Sequence, residues 1–160
     1  MFRDRDGVSS GRDRAGGVAH RDRHWCLRDR WALAVGHTID VAPGYGLAHA
    51  IDAKSGRLNW SYDPKAAEVA GRRLRQSWRS RGFGWWSGRI GSCTQDGCPI
   101  AIDVTTGKRV RSVMTLEHGD PRFIRGPPRA SAGMMIIGHG GADASGVRGD
   151  VTASDAETGR

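Results

Sequence analysis

The chain has 160 residues, with 25 Lys and Arg against 17 Asp and Glu, 24 glycines, and 38% hydrophobic and 7% aromatic side chains. That is the size of one modest domain, and the glycine content favours short strands and turns over a helical bundle. No apolar run reaches the ~18 residues of a membrane helix, and the start lacks the apolar stretch of a secretory signal.

The formal charge of +8 rests on arginine, because Lys54, Lys65 and Lys108 are the three lysines. Residues 1–34 read as a tail rich in Arg and Asp, with almost nothing to bury, and are expected to be disordered. An Arg-Asp repeat of this kind is also what a GC-rich gene yields when read out of frame. A basic nucleic-acid arm is the sharper reading, but interleaved aspartates cancel most of its field. No nucleic-acid partner is expected.

The expected folded domain is 35–160. Its first hairpin is HAIDAKSGRLNW at 49–60, the second IAIDVTTGKRVR at 100–111, the third TASDAETGR at 152–160. Each carries an Asp three residues ahead of Ser or Thr and four ahead of Gly. The aspartates fall at 52, 103 and 155, a period of about 50 residues. Asp caps a tight turn with its carboxylate and Gly supplies a positive φ, so each unit reads as strand, turn, strand. Further strands are expected upstream at 38–41, 89–93 and 134–138.

Between the first two units, Asp63 as N-cap and Pro64 at the first position suit a short helix within 63–78, or an irregular excursion. Trp85-Trp86 is expected to start a strand and pack between sheets. Cys26, Cys93 and Cys98 are odd in number and lack CxxC spacing, so neither a disulfide framework nor a zinc site is indicated.

Four short strands per ~50 residues is the size of a propeller blade. The fold class is therefore all-β, a partial β-propeller of about three blades. A closed ring needs more blades, so the sequence is expected to be a fragment with open edges.

The strings YGLAHAIDAKSGRLNW, RGFGWWSGRI, IAIDVTTGK, IRGPPRA, MIIGHGGAD and GVRGDVTASDAETGR occur in this order. Over residues 35–160 the chain resembles the pyrroloquinoline quinone-dependent alcohol dehydrogenases. The resemblance implies an eight-bladed propeller docked through Ala-x-Asp-x-x-Thr-Gly-Lys-x-x-Trp motifs, and pyrroloquinoline quinone with a calcium or lanthanide ion. It also implies a small alcohol as substrate, a cytochrome as electron acceptor and a periplasmic location.

By the same resemblance Arg81, Gly140, Gly141 and Ala142 bind the cofactor, and Asp143 binds the metal. Asp143 stands where most members have glutamate, which draws the hard ligand back by about 1.5 Å. Arg125 stands where a cofactor-binding threonine is typical, and Arg75-Gln76 where the family has adjacent cysteines. Trp78 nearby offers a flat surface, with packing the plainer role. The catalytic aspartate, the tryptophan platform and the asparagine metal ligand have no counterpart within the 160 residues, so no catalytic residue is assigned and the chain alone is expected to be inactive. The alternative is a non-enzymatic propeller scaffold for protein binding or envelope assembly.

Two residue groups receive no chemistry from the sequence. Glu117, His118 and Asp120 fit a polar turn better than a metal cluster, and His37, His49 and His139 sit singly at strand ends.

Overall fold

The computed structural model describes residues 32–66, 68, 81–142 and 146–160. The tail at 1–31, most of the expected helix, Arg75, Gln76, Trp78 and Asp143 lie outside the described residues. Within the described part of 63–78, Ala66 and Glu68 have helical backbone, and the Asp63 carboxylate accepts a 2.8 Å bond from the Lys65 amide.

Twelve strands are described: β1 (Ala32–Val35), β2 (Thr38–Val41), β3 (Ala48–Asp52), β4 (Leu58–Tyr62), β5 (Gly84–Trp86), β6 (Arg89–Cys93), β7 (Pro99–Asp103), β8 (Arg109–Ser112), β9 (Phe123–Ile124), β10 (Arg129–Ser131), β11 (Met134–Gly140) and β12 (Asp150–Asp155). They form three antiparallel sheets in the orders β1-β2-β3-β4, β5-β6-β7-β8 and β10-β11-β12, with β9 also on β11. The period of about 50 residues is thus one sheet per repeat. Strand β1 begins at Ala32 rather than at the expected boundary of 35, because Leu33 packs on the core between the first two sheets. No helix among the described residues is long and apolar enough to cross a membrane.

The three motif turns share one geometry. Asp52 Oδ1 accepts the Ser55 amide and hydroxyl, each at 2.6 Å. Asp103 takes the Thr106 amide and hydroxyl at 2.8 Å, and Asp155 takes those of Thr158 at 2.6 and 2.8 Å. These bonds favour the ionised form and hold all three carboxyls below the usual range. Gly56, Gly107 and Gly159 follow at φ 71°, 68° and 78°, where a Cβ is disfavoured. Pairing shifts register at Ala50/Ile51 in the first sheet and at Ala101/Ile102 in the second.

The core lies between sheets. Ala42, Ala48, Phe83, Ile90, Ile100 and Ile102 fill the space between the first and second, while Cys93, Ile124 and Ile137 with Met135 fill that between the second and third. Glycine permits the close approach: a Cβ on Gly91 would stand 3.1 Å from Pro128 and 3.3 Å from Met135. In the third sheet β9 and β10 share β11, since Pro127 and Pro128 lack the amide hydrogens that would continue one strand. Trp86 sits in the second interface, where its indole donates to Glu157 at 2.9 Å. Trp85, expected between sheets, is 43% exposed, because alternation along a strand turns adjacent side chains to opposite faces.

Candidate functional site

Among the described residues, those singled out by the resemblance lie ahead of β5 and at the end of β11. Gly84 opens β5 so close to the third sheet that a Cβ there would meet Pro128 O at 2.5 Å. The entry segments to β5 and β10 therefore lie side by side, one carrying Arg81 and the other Arg125. Arg81 is exposed. Strand β11 runs antiparallel to β9, with Gly140 opposite Phe123, so β11 ends beside these entries.

Gly140 closes β11 and Gly141 follows it. Gly141 is buried at φ 134°, and a Cβ would fall 2.8 Å from Val147 Cγ1. No side chain fits there, because Val147 already packs against that Cα. Ala142 follows, exposed. Gly140, Gly141 and Ala142 thus follow one another at the end of β11, and Arg81 lies three residues ahead of β5.

Below this end lies a polar chain that the sequence did not reveal. His139, 3% exposed, has Nδ1 at 2.8 Å from Asp150 Oδ1 and Nε2 at 2.8 Å from Thr115 Oγ1. Arg122 binds the other oxygen of Asp150 and also clasps Asp120. The Arg122 guanidinium and amide hold the Asp120 carboxyl down at about 2. His139 is thus not a lone histidine: its partner is its cross-strand neighbour in the β11–β12 register. An aspartate 11 residues away gives no spacing signal, and register alone would have exposed the pair.

Asp120 also donates its amide to Glu117 O at 3.1 Å, closing a polar turn over 117–120. Among the described residues no group of three His, Cys, Asp or Glu is placed to hold a metal ion. Cys93 faces the second interface cluster and Cys98 the first, and burial raises both thiols. Asp40 on β2 is 1% exposed, and both its carboxylate oxygens lack a hydrogen-bond partner among the described residues. Desolvation pushes its carboxyl up to about 6.

Three successive four-stranded sheets docked through repeated Asp-capped hairpins define a segment of a β-propeller. The dehydrogenase subunit of the quinone alcohol dehydrogenase of Gluconobacter oxydans is 44% identical over 134 residues, covering 80% of this chain and 18% of that protein. Among solved structures, the quinohemoprotein alcohol dehydrogenase ADHIIG of Pseudomonas putida HK5 superposes at a TM-score of 0.75 with 37% identity, over 82% of this chain and 20% of its own. A europium-containing methanol dehydrogenase superposes at 0.72 with 30% identity, over 81% of this chain and 23% of its own. No family model matches. The chain belongs to the pyrroloquinoline quinone-dependent alcohol dehydrogenase family, and it spans about a fifth of the length of these relatives.

Proposed function

We propose that the chain supplies one wall of the quinone site of a dehydrogenase that oxidises alcohols by hydride transfer. The observation that carries this reading is the glycine cradle at the end of β11, where Gly141 lies buried at φ 134° with Val147 packed on its Cα, together with an exposed Arg81 ahead of β5. Those features fit an acidic, oxygen-rich, flat ligand: the guanidinium binds oxygens in a fork, and bare backbone permits close approach. When bound, pyrroloquinoline quinone supplies a hydride acceptor, and a calcium or lanthanide ion supplies Lewis acidity.

Within that site Arg81 orients the cofactor through its oxygens. Gly140, Gly141 and Ala142 present main chain to it, and Asp143 offers a hard carboxylate oxygen to the metal. None of these groups is assigned as base for the alcohol proton, so within the complete ring this segment binds and orients, and alone it is expected not to turn over. The whole enzyme takes a small alcohol, passes electrons to a cytochrome and works in the periplasm. A non-enzymatic scaffold is the weaker reading, because the relatives are alcohol dehydrogenases.

Residues 35–160 grafted into a complete relative test the reading. With quinone and calcium, dye-linked alcohol oxidation is expected for the graft and background rates for the isolated chain. Asp143→Ala is expected to abolish metal-dependent quinone binding and Asp143→Glu to keep it. A graft that retains the fold but shows the same binding for all three removes Asp143 from the site.

A further inference from the structure

We propose that His139 positions the Gly140–Ala142 segment as a ring that donates from both nitrogens, a role that rests on reading this segment as part of the quinone site. The proton assignment follows from counting donors. Thr115 Oγ1 lies 2.8 Å from Gly97 O as well as 2.8 Å from His139 Nε2. A hydroxyl has one proton to give. Were it given to the ring, Oγ1 and the Gly97 carbonyl oxygen would face each other at that distance as two acceptors. The hydroxyl therefore donates to Gly97 O, and Nε2–H donates to Thr115. On the other side the Asp150 carboxylate accepts, so Nδ1 carries a proton as well.

The surrounding charges match that assignment. Asp150 is shared between His139 and Arg122, and Arg122 is shared between Asp150 and Asp120. The chain runs Gly97, Thr115, His139, Asp150, Arg122, Asp120, with a donor facing an acceptor at every link. Two of the links lie on or beside strands that pair with β11. Asp150 opens β12, Arg122 enters β9, whose Phe123 pairs with Gly140, and Gly97 lies in the β6–β7 turn of the second sheet. Gly149 backs onto the same point, where a Cβ would stand 2.8 Å from His139 O. One buried ring thus ties three segments to the residue immediately before the cradle.

The test uses the full chain with His139→Gln, His139→Phe and the milder Thr115→Val. Long-range proton–nitrogen NMR is expected to show slowly exchanging protons on both ring nitrogens of His139. Amide exchange at Gly140, Gly141 and Ala142 is expected to accelerate about tenfold or more in His139→Gln and His139→Phe, and less in Thr115→Val, with Ile90 and Ile102 amides unchanged. One unprotonated ring nitrogen, or cradle amides indifferent to all three changes, overturns the inference.

Titration with pyrroloquinoline quinone, on residues 35–160 grafted into a complete relative, separates the two readings. A parent graft that binds quinone while His139→Gln binds it equally well overturns the positioning role. Loss of quinone binding on Arg81→Ala, with His139→Gln also weakened, is the expected pattern. A parent graft that binds no quinone while its cradle amides respond to His139 removes the cofactor reading and leaves the positioning role standing.

Discussion

The two sheet interfaces are built on one plan with different chemistry. Between the first and second sheets, the Trp60 indole lies over Gly107, whose Cβ would fall 2.6 Å from Trp60 Cδ2, and Nε1–H donates to Val104 O at 2.8 Å. Between the second and third, the same motif position holds Arg111. Its guanidinium lies over Gly159, where a Cβ would be 2.7 Å from Nε, and donates to Ala156 O at 3.1 Å and to Glu157 O. Val104 and Ala156 each follow the turn aspartate by one residue. The docking position therefore requires a flat donor above a glycine, and an indole or a guanidinium meets it. What differs is the setting, because the indole joins an apolar cluster and the guanidinium a polar one with Glu157, Arg89 and Trp86.

The largest expected effect separates rigid from flexible neighbours. Gly107→Val drives a side chain into the indole at a backbone φ of 68°, and overpacking with left-handed strain predicts a loss of about 3–4 kcal/mol by urea unfolding. Gly159→Val meets the long Arg111 side chain, which has more torsions through which to give way than an indole, and Val113 Cγ2 at 3.0 Å, and is expected to cost about half as much. Equal losses at the two glycines would mean that the indole contact is no more demanding than the guanidinium one.

Acid is the next way to set the interfaces apart. Leu33, Asp40, Ala50 and Trp60 form one cross-strand row on the face of the first sheet that packs against the second. Asp40 has a folded value of about 6 against an ordinary 3.8, so the folded state takes up its proton first. Its unfavourable contribution is fully present above about pH 6 and disappears as pH falls toward 3.8. Lowering the pH from 7 to 4 should raise stability by up to about 3 kcal/mol, and Asp40→Asn should remove that dependence and stabilise the protein at pH 7. Glu157 at the other interface has the opposite sign. Hydrogen bonds from Arg89 and Trp86 hold it below its ordinary 4.5, so what it contributes is present above that value and lost as pH falls through its lowered one. A stability that falls steadily from pH 7 to 5 would contradict the assignment of Asp40.

The same contrast shows what the sequence makes legible. The Asp-x-x-Ser/Thr-Gly turn encodes its own geometry, since carboxylate, hydroxyl and glycine are all within five residues, and the strands at 38–41 and 89–93 occur as expected. Strand β11 runs two residues past the expected 138, to Gly140. Features that depend on a second strand or sheet were not legible: the His139–Asp150 pair, the exposed Trp85, and Arg111 taking the place of tryptophan. Each is decided by register or by the facing sheet rather than by local spacing. For the site, Gly141 and Ala142 stand out in the sequence as small residues that permit a close approach, whereas the His139 chain beside them has no local signal.

Arg111→Trp is the smallest expected effect and the sharpest test of the shared plan. If the position asks for a flat donor over glycine, an indole there should lie over Gly159 and donate to Ala156 O as Trp60 does to Val104 O, with a gain of about 1 kcal/mol from apolar burial beside Ile100, Pro128 and Met135. Arg111→Leu fills space without a donor, leaves Ala156 O unbonded by the side chain, and should be less stable than Arg111→Trp by about 1 kcal/mol. Salt distinguishes the polar setting. Raising sodium chloride from 0.05 to about 1 M should lower the melting temperature of the parent slightly through the exposed Arg89–Glu157 pair. Glu157→Gln should lose that salt response, while Trp60→Phe should keep it. If Arg111→Trp unfolds the protein while Arg111→Leu does not, the two interfaces do not share a docking plan, and the likeness between Val104 and Ala156 is one of position alone.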